Sequence, residues 1–181
     1  MKREGDYLGT YSGNKFWPLD PRPEEVCLED ISHALSQICR FNGHTTEPYS
    51  VALHCLSVER LLEQRGYDKL TRLYGLLHDA AEAYVCDLPR PLKRFIKNYG
   101  IIELAVMDAV YKHFGLDRPS VEIEIAVGDA DDYILALEAK KLMKGTDSWV
   151  LVPTLLGDSL DFFEESDSIR QVFQEKVLSL L

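Results

Sequence analysis

The stretch Leu76-Leu77-His78-Asp79-Ala80-Ala81-Glu82-Ala83-Tyr84-Val85-Cys86-Asp87-Leu88-Pro89-Arg90-Pro91-Leu92-Lys93 sets an adjacent His-Asp pair, two further carboxylates and two cations in chain that is otherwise apolar or turn-forming. Leu76, Leu77, Ala80, Ala81 and Ala83 favour a helix, and Pro89 and Pro91 force the backbone out of it soon afterwards. His78, Asp79 and Glu82 are therefore expected near the C-terminal end of a helix, with Asp87, Arg90 and Lys93 on the turn that follows. Glu82 stands one turn beyond His78 and Asp79, so all three project toward a common patch. An imidazole nitrogen and a carboxylate oxygen from neighbouring residues can meet a divalent metal there, with Glu82 just outside its coordination sphere.

Working outward, the apolar residues repeat at helical spacing. Upstream, Leu70, Leu73, Leu77, Ala80 and Ala81 give one inward face to a helix from about Asp68 to Tyr84. Before it, a helix capped near Ser50 and ended by Gly66 turns Val51, His54, Val58, Leu61 and Leu62 to the core. A still earlier helix ends near Cys39, with Asp30 or Ser32 at its cap. Downstream, Ile102, Ala105, Val106, Ala109, Val110 and Phe114 define a helix over 101–114, and Gly115 stops it. Pro119 opens the longest segment, through Ile123, Ala126, Val127, Ala130, Ile134, Leu137 and Leu142 to Gly145. Trp149 to Leu156 reads as an extended loop, and Ile169, Val172, Phe173, Val177 and Leu180 as a last amphipathic helix. Tyr7 to Leu19, around Ser12-Gly13-Asn14, has hairpin chemistry. The expectation is an all-α domain over 1–181, with a hairpin at about 7–19 and a helical core over about 28–181.

Two polar residues sit where that pattern wants apolar ones. His54 shares its face with Val51, Val58 and Leu61, and Asp131 follows Val127 by one turn and precedes Ile134. Taken singly, each suits a hydrogen-bonded core histidine or a solvated carboxylate as well as a ligand. With His78 and Asp79 they supply two imidazoles and two carboxylates from three helices, a donor set suited to Mn, Co, Fe, Zn or Mg. A buried carboxylate without a partner is costly, so such a residue is paired, protonated or metal-bound.

The order His54, then His78-Asp79, then Asp131 resembles the H…HD…D signature of the HD superfamily of metal-dependent phosphohydrolases. Within it the likeness is closest to the compact bacterial 5′-deoxynucleotidases and the phage deoxyadenosine triphosphate triphosphohydrolases. It covers about Asp30 to Met143, and its most specific parts are Arg40-Phe41-Asn42-Gly43-His44-Thr45, Tyr49 to His54, the stretch quoted first, and Ala130-Asp131 followed by Leu137-Glu138-Ala139. The resemblance implies an HD-domain helical bundle with His54, His78, Asp79 and Asp131 holding one divalent metal ion. It implies Glu82 as the carboxylate that aligns or deprotonates the attacking water and Asp87 as the one that contacts the sugar hydroxyl. Arg40 and Lys93 correspond to phosphate-binding cations, and Phe41 to an aromatic against sugar or base. Arg90 and His44 lie close enough in sequence to touch phosphate, while His33 and His44 suit structural roles equally. Gly128, Asp129 and Asp132 flank Asp131 where close relatives often carry basic residues, which removes contacts to distal phosphates.

Composition bounds the partners. A formal net charge of −10 opposes binding to long nucleic acid or an anionic membrane, but not a small anion held by local cations. The four cysteines, Cys27, Cys39, Cys55 and Cys86, show no short paired spacing, and their apolar surroundings suggest buried, reduced thiols in a cytoplasmic protein. The expected activity is hydrolysis of a deoxynucleotide, mono- or triphosphate and deoxyadenosine among the candidates. Metal-activated water attacks the phosphorus next to the 5′ oxygen and the nucleoside is released. The resemblance also implies a homo-oligomer. The alternatives are a guanosine tetraphosphate hydrolase of the same superfamily and a non-catalytic nucleotide-binding module; the DLPRPLK turn points to nucleotidases, and Glu82 beside the ligand set speaks for catalysis.

Overall fold

The computed structural model describes residues 3–154 and 168–181. In chain order these form β1 (Leu8–Gly9), β2 (Lys15–Phe16), α1 (Leu28–Gln37), α2 (Val51–Gln64), α3 (Lys69–Leu77), α4 (Glu82–Val85), α5 (Arg90–Lys93), α6 (Tyr99–His113), α7 (Val121–Leu142) and α8 (Ile169–Leu180). The fold is the expected helical one with a two-stranded antiparallel hairpin pairing Leu8 with Phe16. None of the described helices is long and apolar enough to cross a membrane. Of the expected 149–156 loop, residues 155 and 156 lie outside the described residues.

Helix α2 is the centre. It packs on α1, α3, α7 and α8 and buries Val51, Ala52, Cys55, Leu56, Val58 and Leu62. Ser50 caps it by accepting from the Leu53 amide at 3.3 Å. Gly66, at φ +80°, closes it with paired bonds from the Gly66 amide to the Glu63 carbonyl and from the Tyr67 amide to the Leu62 carbonyl, the arrangement a left-handed residue makes possible. One apolar cluster joins α1, α2, α3, α6, α8 and Phe16, and a second joins α2, α3 and α7. Helices α2 and α3 approach closely at Gly75, where a Cβ would come within 2.3 Å of Leu62 Cδ1. A side chain at 75 would force Leu62 to move, so the glycine lets these two helices keep their close packing.

Several expectations need correction. Cys27 occupies the N-cap of α1 without a side-chain bond. Asp30 is buried and instead accepts from the Ser12 amide (2.6 Å) and the Ser12 hydroxyl (2.9 Å), tying the hairpin tip to α1. Leu70 is 45% exposed, while Tyr74 and Leu76 turn inward beside the expected Leu73 and Leu77; Asp68 caps this helix, accepting from the Thr71 amide. The helix expected over 68–84 breaks at His78. Bonds from Ala80 to Leu77 and from Glu82 to Asp79 tighten the backbone, and α4 starts afresh at Glu82. Arg90 to Lys93 make a single helical turn. Only Cys55 of the cysteines is buried; Cys27 is half-buried, and Cys39 and Cys86 are exposed on loops flanking the site.

Candidate metal centre

His54 projects from the central helix into the core and is fully buried. Its Nδ1 lies 2.7 Å from Glu138 Oε1. A carboxylate accepts, so the proton is on Nδ1 and the Nε2 lone pair is free in the neutral ring. His78, at the C-terminal cap of α3, places Nδ1 2.8 Å from the Gly75 carbonyl, which fixes the same tautomer. The two Nε2 atoms face each other at 3.3 Å. Asp79 Oδ2 is 3.2 Å from His78 Nε2 and 3.7 Å from His54 Nε2. Asp131 Oδ1 is 3.0 Å and 4.0 Å from the His54 and His78 Nε2 atoms. Metal bonds of about 2.0–2.2 Å set neighbouring ligand atoms roughly 3.0–3.5 Å apart and opposed ones about 4.2 Å. His54, His78 and Asp131 therefore suit one small divalent ion, with Asp79 within reach of both imidazoles, and the facing lone pairs repel unless a cation or proton lies between them.

The electrostatics agree. Burial and the Arg40 charge oppose protonation of His54, yet Glu138 and Asp131 hold its pKa above the usual imidazole value. Burial likewise opposes His78, but Asp79 and Cys55 raise it well above that value. Burial works against the charged forms of Asp79 and Asp131 too. His78, His54 and Arg40 nevertheless keep Asp79 far below the usual carboxylate range, and His54 and His78 do the same for Asp131. The set is built to gather positive charge.

Glu82 has the opposite character. It is buried, its Oε2 lacks a hydrogen-bond partner among the described residues, and burial followed by the charges of Asp79 and Asp87 pushes its carboxyl up to about 9. The break after α3 brings it here, since the tightened backbone from His78 to Glu82 rotates it toward the same centre. Asp87 follows Cys86, whose φ of +64° with ψ of 160° belongs to a region nearly reserved for glycine. The bond from the Tyr99 hydroxyl to the Cys86 carbonyl (2.7 Å) anchors that corner. The Asp87 pKa is raised, by burial first, with Asp79 adding and Arg40 opposing.

Arg40 reaches the same centre from the segment after α1. Nη2 meets Glu138 Oε2 at 3.1 Å, Nη1 lies 3.8 Å from Asp79 Oδ2, and its buried Nε has no partner among the described residues. Phe41 and Asn42 both take left-handed conformations, φ 51° and 53°. Phe41 lies against Trp149, ring centroids 6.4 Å apart, with the Arg40 guanidinium 5.6 Å from its own ring centroid.

Other expected residues stand further out. Arg90, 60% exposed, donates to Asp131 Oδ2 at 2.7 Å and to Asp132 at 2.8 Å. Lys93 is paired with Glu103 at 2.7 Å. His44 is exposed at the end of a 3-10 turn, and among the described residues no hydrogen bond links its ring to the cluster. His33 stacks on Tyr11 at 3.7 Å and is structural.

Two residues of the site lacked an assigned role in the sequence reading. Glu138, fully buried, bridges His54 and Arg40. It lies seven residues after Asp131 on the same helical face, so the periodicity that exposed Asp131 also singles it out. Cys55 groups with His78 and Asp79 as a second potential ligand set. Burial pushes its thiol up to about 11, which keeps it protonated and leaves the oxygen and nitrogen donors as the better set; no polar anomaly marks it in an apolar helix.

No family model matches the chain. The chain is 34% identical over 151 residues to the uncharacterized protein YfdR of Escherichia coli (strain K12), covering 83% of this chain and 79% of that protein. It is 39% identical over 139 residues to an uncharacterized protein of Rhodobacter capsulatus, covering 72% and 70%. A helical fold with a partly buried His/Asp cluster able to hold a metal is compatible with an HD-type fold. By identity and coverage, the chain belongs to the family that includes YfdR of Escherichia coli and this Rhodobacter capsulatus protein.

Proposed function

We propose that this protein is a metal-dependent phosphohydrolase of the HD type that releases the nucleoside from a deoxynucleotide. The observation that carries the reading is the pair of Nε2 atoms facing each other at 3.3 Å between two aspartates, beside a buried Glu82 whose Oε2 has no hydrogen-bond partner among the described residues. His54, His78, Asp79 and Asp131 would hold the ion, Mn, Co, Zn, Fe or Mg; when bound it supplies Lewis acidity toward phosphate and lowers the pKa of water.

The chain's own residues do the rest. Glu82 takes the proton from the attacking water; a cation held by the neighbouring donors would favour the ionised carboxylate that this role needs. Arg40, a buried guanidinium held between Glu138 and Asp79, donates to nonbridging phosphate oxygens and stabilises the charge that grows there. Asp87 accepts from a sugar hydroxyl. Attack at the phosphorus next to the 5′ oxygen forms the new P–O bond and breaks the bond to the nucleoside oxygen, which leaves with a proton. Arg90 and Lys93 already carry acidic partners, so they offer little to distal phosphates, which supports a monophosphate as substrate.

The test is a release screen of deoxy- and ribonucleoside mono- and triphosphates with each metal, beside metal analysis of the purified protein. Phosphate and nucleoside from deoxynucleoside monophosphates are expected. Triphosphate release would overturn the chain-length reading, and no release with any metal would overturn the enzyme.

A further inference from the structure

A cavity of about 240 Å³ opens beside the metal centre, with His78 and Asp131 in its wall. It lies between α3, α6 and α7, whereas Arg40 enters the centre from the segment after α1. Its apolar lining is Tyr74, Tyr111, Ile123 and Val127. The two tyrosine rings meet edge to face at 5.3 Å, and the Tyr74 hydroxyl is fixed on the Asp117 carbonyl at 2.8 Å. The wall is therefore aromatic and held in place.

Gly128 is the informative residue. It lies inside the 22-residue helix α7, where glycine costs about 1 kcal/mol relative to alanine. No positive φ requires it. Nor does packing, since a Cβ there would meet nothing within 4 Å. What it does is line the cavity one turn before Asp131. Gly128 is exposed on the cavity lip with open space where a Cβ would stand, so a long side chain there has room to reach over the cavity.

Charge and size narrow the occupant. The lining contains no lysine or arginine and includes Glu124, so it offers a phosphate no cation of its own. Pockets for drug-sized ligands run to about 300–1,000 Å³; this one suits a single ring system. Resting on the phosphohydrolase reading, we infer that the Tyr74–Tyr111 cavity is the nucleobase subsite, and that Gly128 is the residue that admits the base. The phosphate then lies over Arg40, on the other side of the metal donors, and the base stacks on tyrosine. Glu124, exposed at the mouth, accepts hydrogen bonds only and favours a base with an amino group.

Deoxyadenosine, which lacks phosphate and is not turned over, is the probe. Its titration into the wild-type, metal-loaded protein should shift the Gly128 amide resonance. Gly128→Leu should weaken deoxyadenosine at least about tenfold by filling the site. Metal content and affinity for inorganic phosphate should stay unchanged, and the Tm should not fall, because any ordinary residue improves the helix. Gly128→Ala should weaken the nucleoside less. An unmoved Gly128 resonance, or equal deoxyadenosine affinity in wild type and Gly128→Leu, overturns the subsite; so does a loss that falls on Phe41→Ala instead. Because the readout is nucleoside binding, it is independent of turnover. Hydrolysis with no Gly128 effect sinks the subsite alone, and Gly128-dependent binding without hydrolysis sinks only the catalytic reading.

Discussion

Asp131 is met from two sides, by His54 at 3.0 Å and by Arg90 at 2.7 Å, and the two contacts differ in nearly everything except length. His54 is fully buried on a 14-residue helix, and its other nitrogen is held by a buried glutamate that is itself held by Arg40. Arg90 is 60% exposed on a four-residue helix and divides its guanidinium between two aspartates. Solvent screens the second contact and leaves the first almost unscreened. The inner side is therefore fixed machinery and the outer side a replaceable rim. The lesson is that distance alone does not rank the contacts of a site; burial and the partner behind each residue do.

The largest effect should come from the inner side. Asp131→Ala is expected to abolish stoichiometric metal binding, read by metal analysis after dialysis, since it removes a donor shared between two imidazoles. Glu82→Gln should keep the metal and lower turnover about a hundred- to ten-thousand-fold. Unchanged turnover in that variant would refute the role assigned to Glu82.

The same variant sharpens the comparison through pH. In the metal-stripped protein the Glu82 carboxyl is raised from 4.5 to about 9, so between those values the folded state holds a proton that the unfolded state has lost. Its contribution to stability is complete below about 4.5 and is lost as pH rises toward 9. Glu82→Gln should therefore show a higher Tm than wild type at pH 8.5, and a gain that shrinks by pH 5.5. A pH-independent difference would contradict it.

Smaller effects follow outward. Glu138→Ala should weaken metal binding about ten- to a hundredfold, as losses behind a histidine ligand do, and also lower the Tm because it strips the buried Arg40 of its nearest partner. Arg90→Ala should change stability by no more than about 1 kcal/mol in denaturant titration and leave the metal bound. If Arg90→Ala proved as damaging as Glu138→Ala, the division into inner machinery and outer rim would fail.

Much of this was legible in the chain. Helical spacing located α2, α6, α7 and α8, and the same spacing flagged His54 and Asp131 as polar residues on apolar faces. It applied equally to Glu138, which the sequence reading named only within the Leu137-Glu138-Ala139 stretch and without a role. The cap of α1 and the inward placing of Leu70 were misread because propensity and period do not say which competing register packs better. The break between His78 and Glu82 was also hidden, since Ala80, Ala81 and Ala83 are strong helix formers and the tightened turn comes from tertiary packing.

By itself the sequence determined a helical domain with a hairpin, and pointed to a candidate donor set of two imidazoles and two carboxylates from three helical segments. Those follow from local physics, a period of hydrophobicity and the cost of placing polar groups on an apolar face. Only the tertiary structure decided which nitrogen of each histidine is free, that Glu138 stands behind His54 and Arg40, that Lys93 is engaged by Glu103, and that Gly128 borders a cavity. Each depends on residues far apart in the chain brought within a few ångströms, and no local pattern encodes such a meeting.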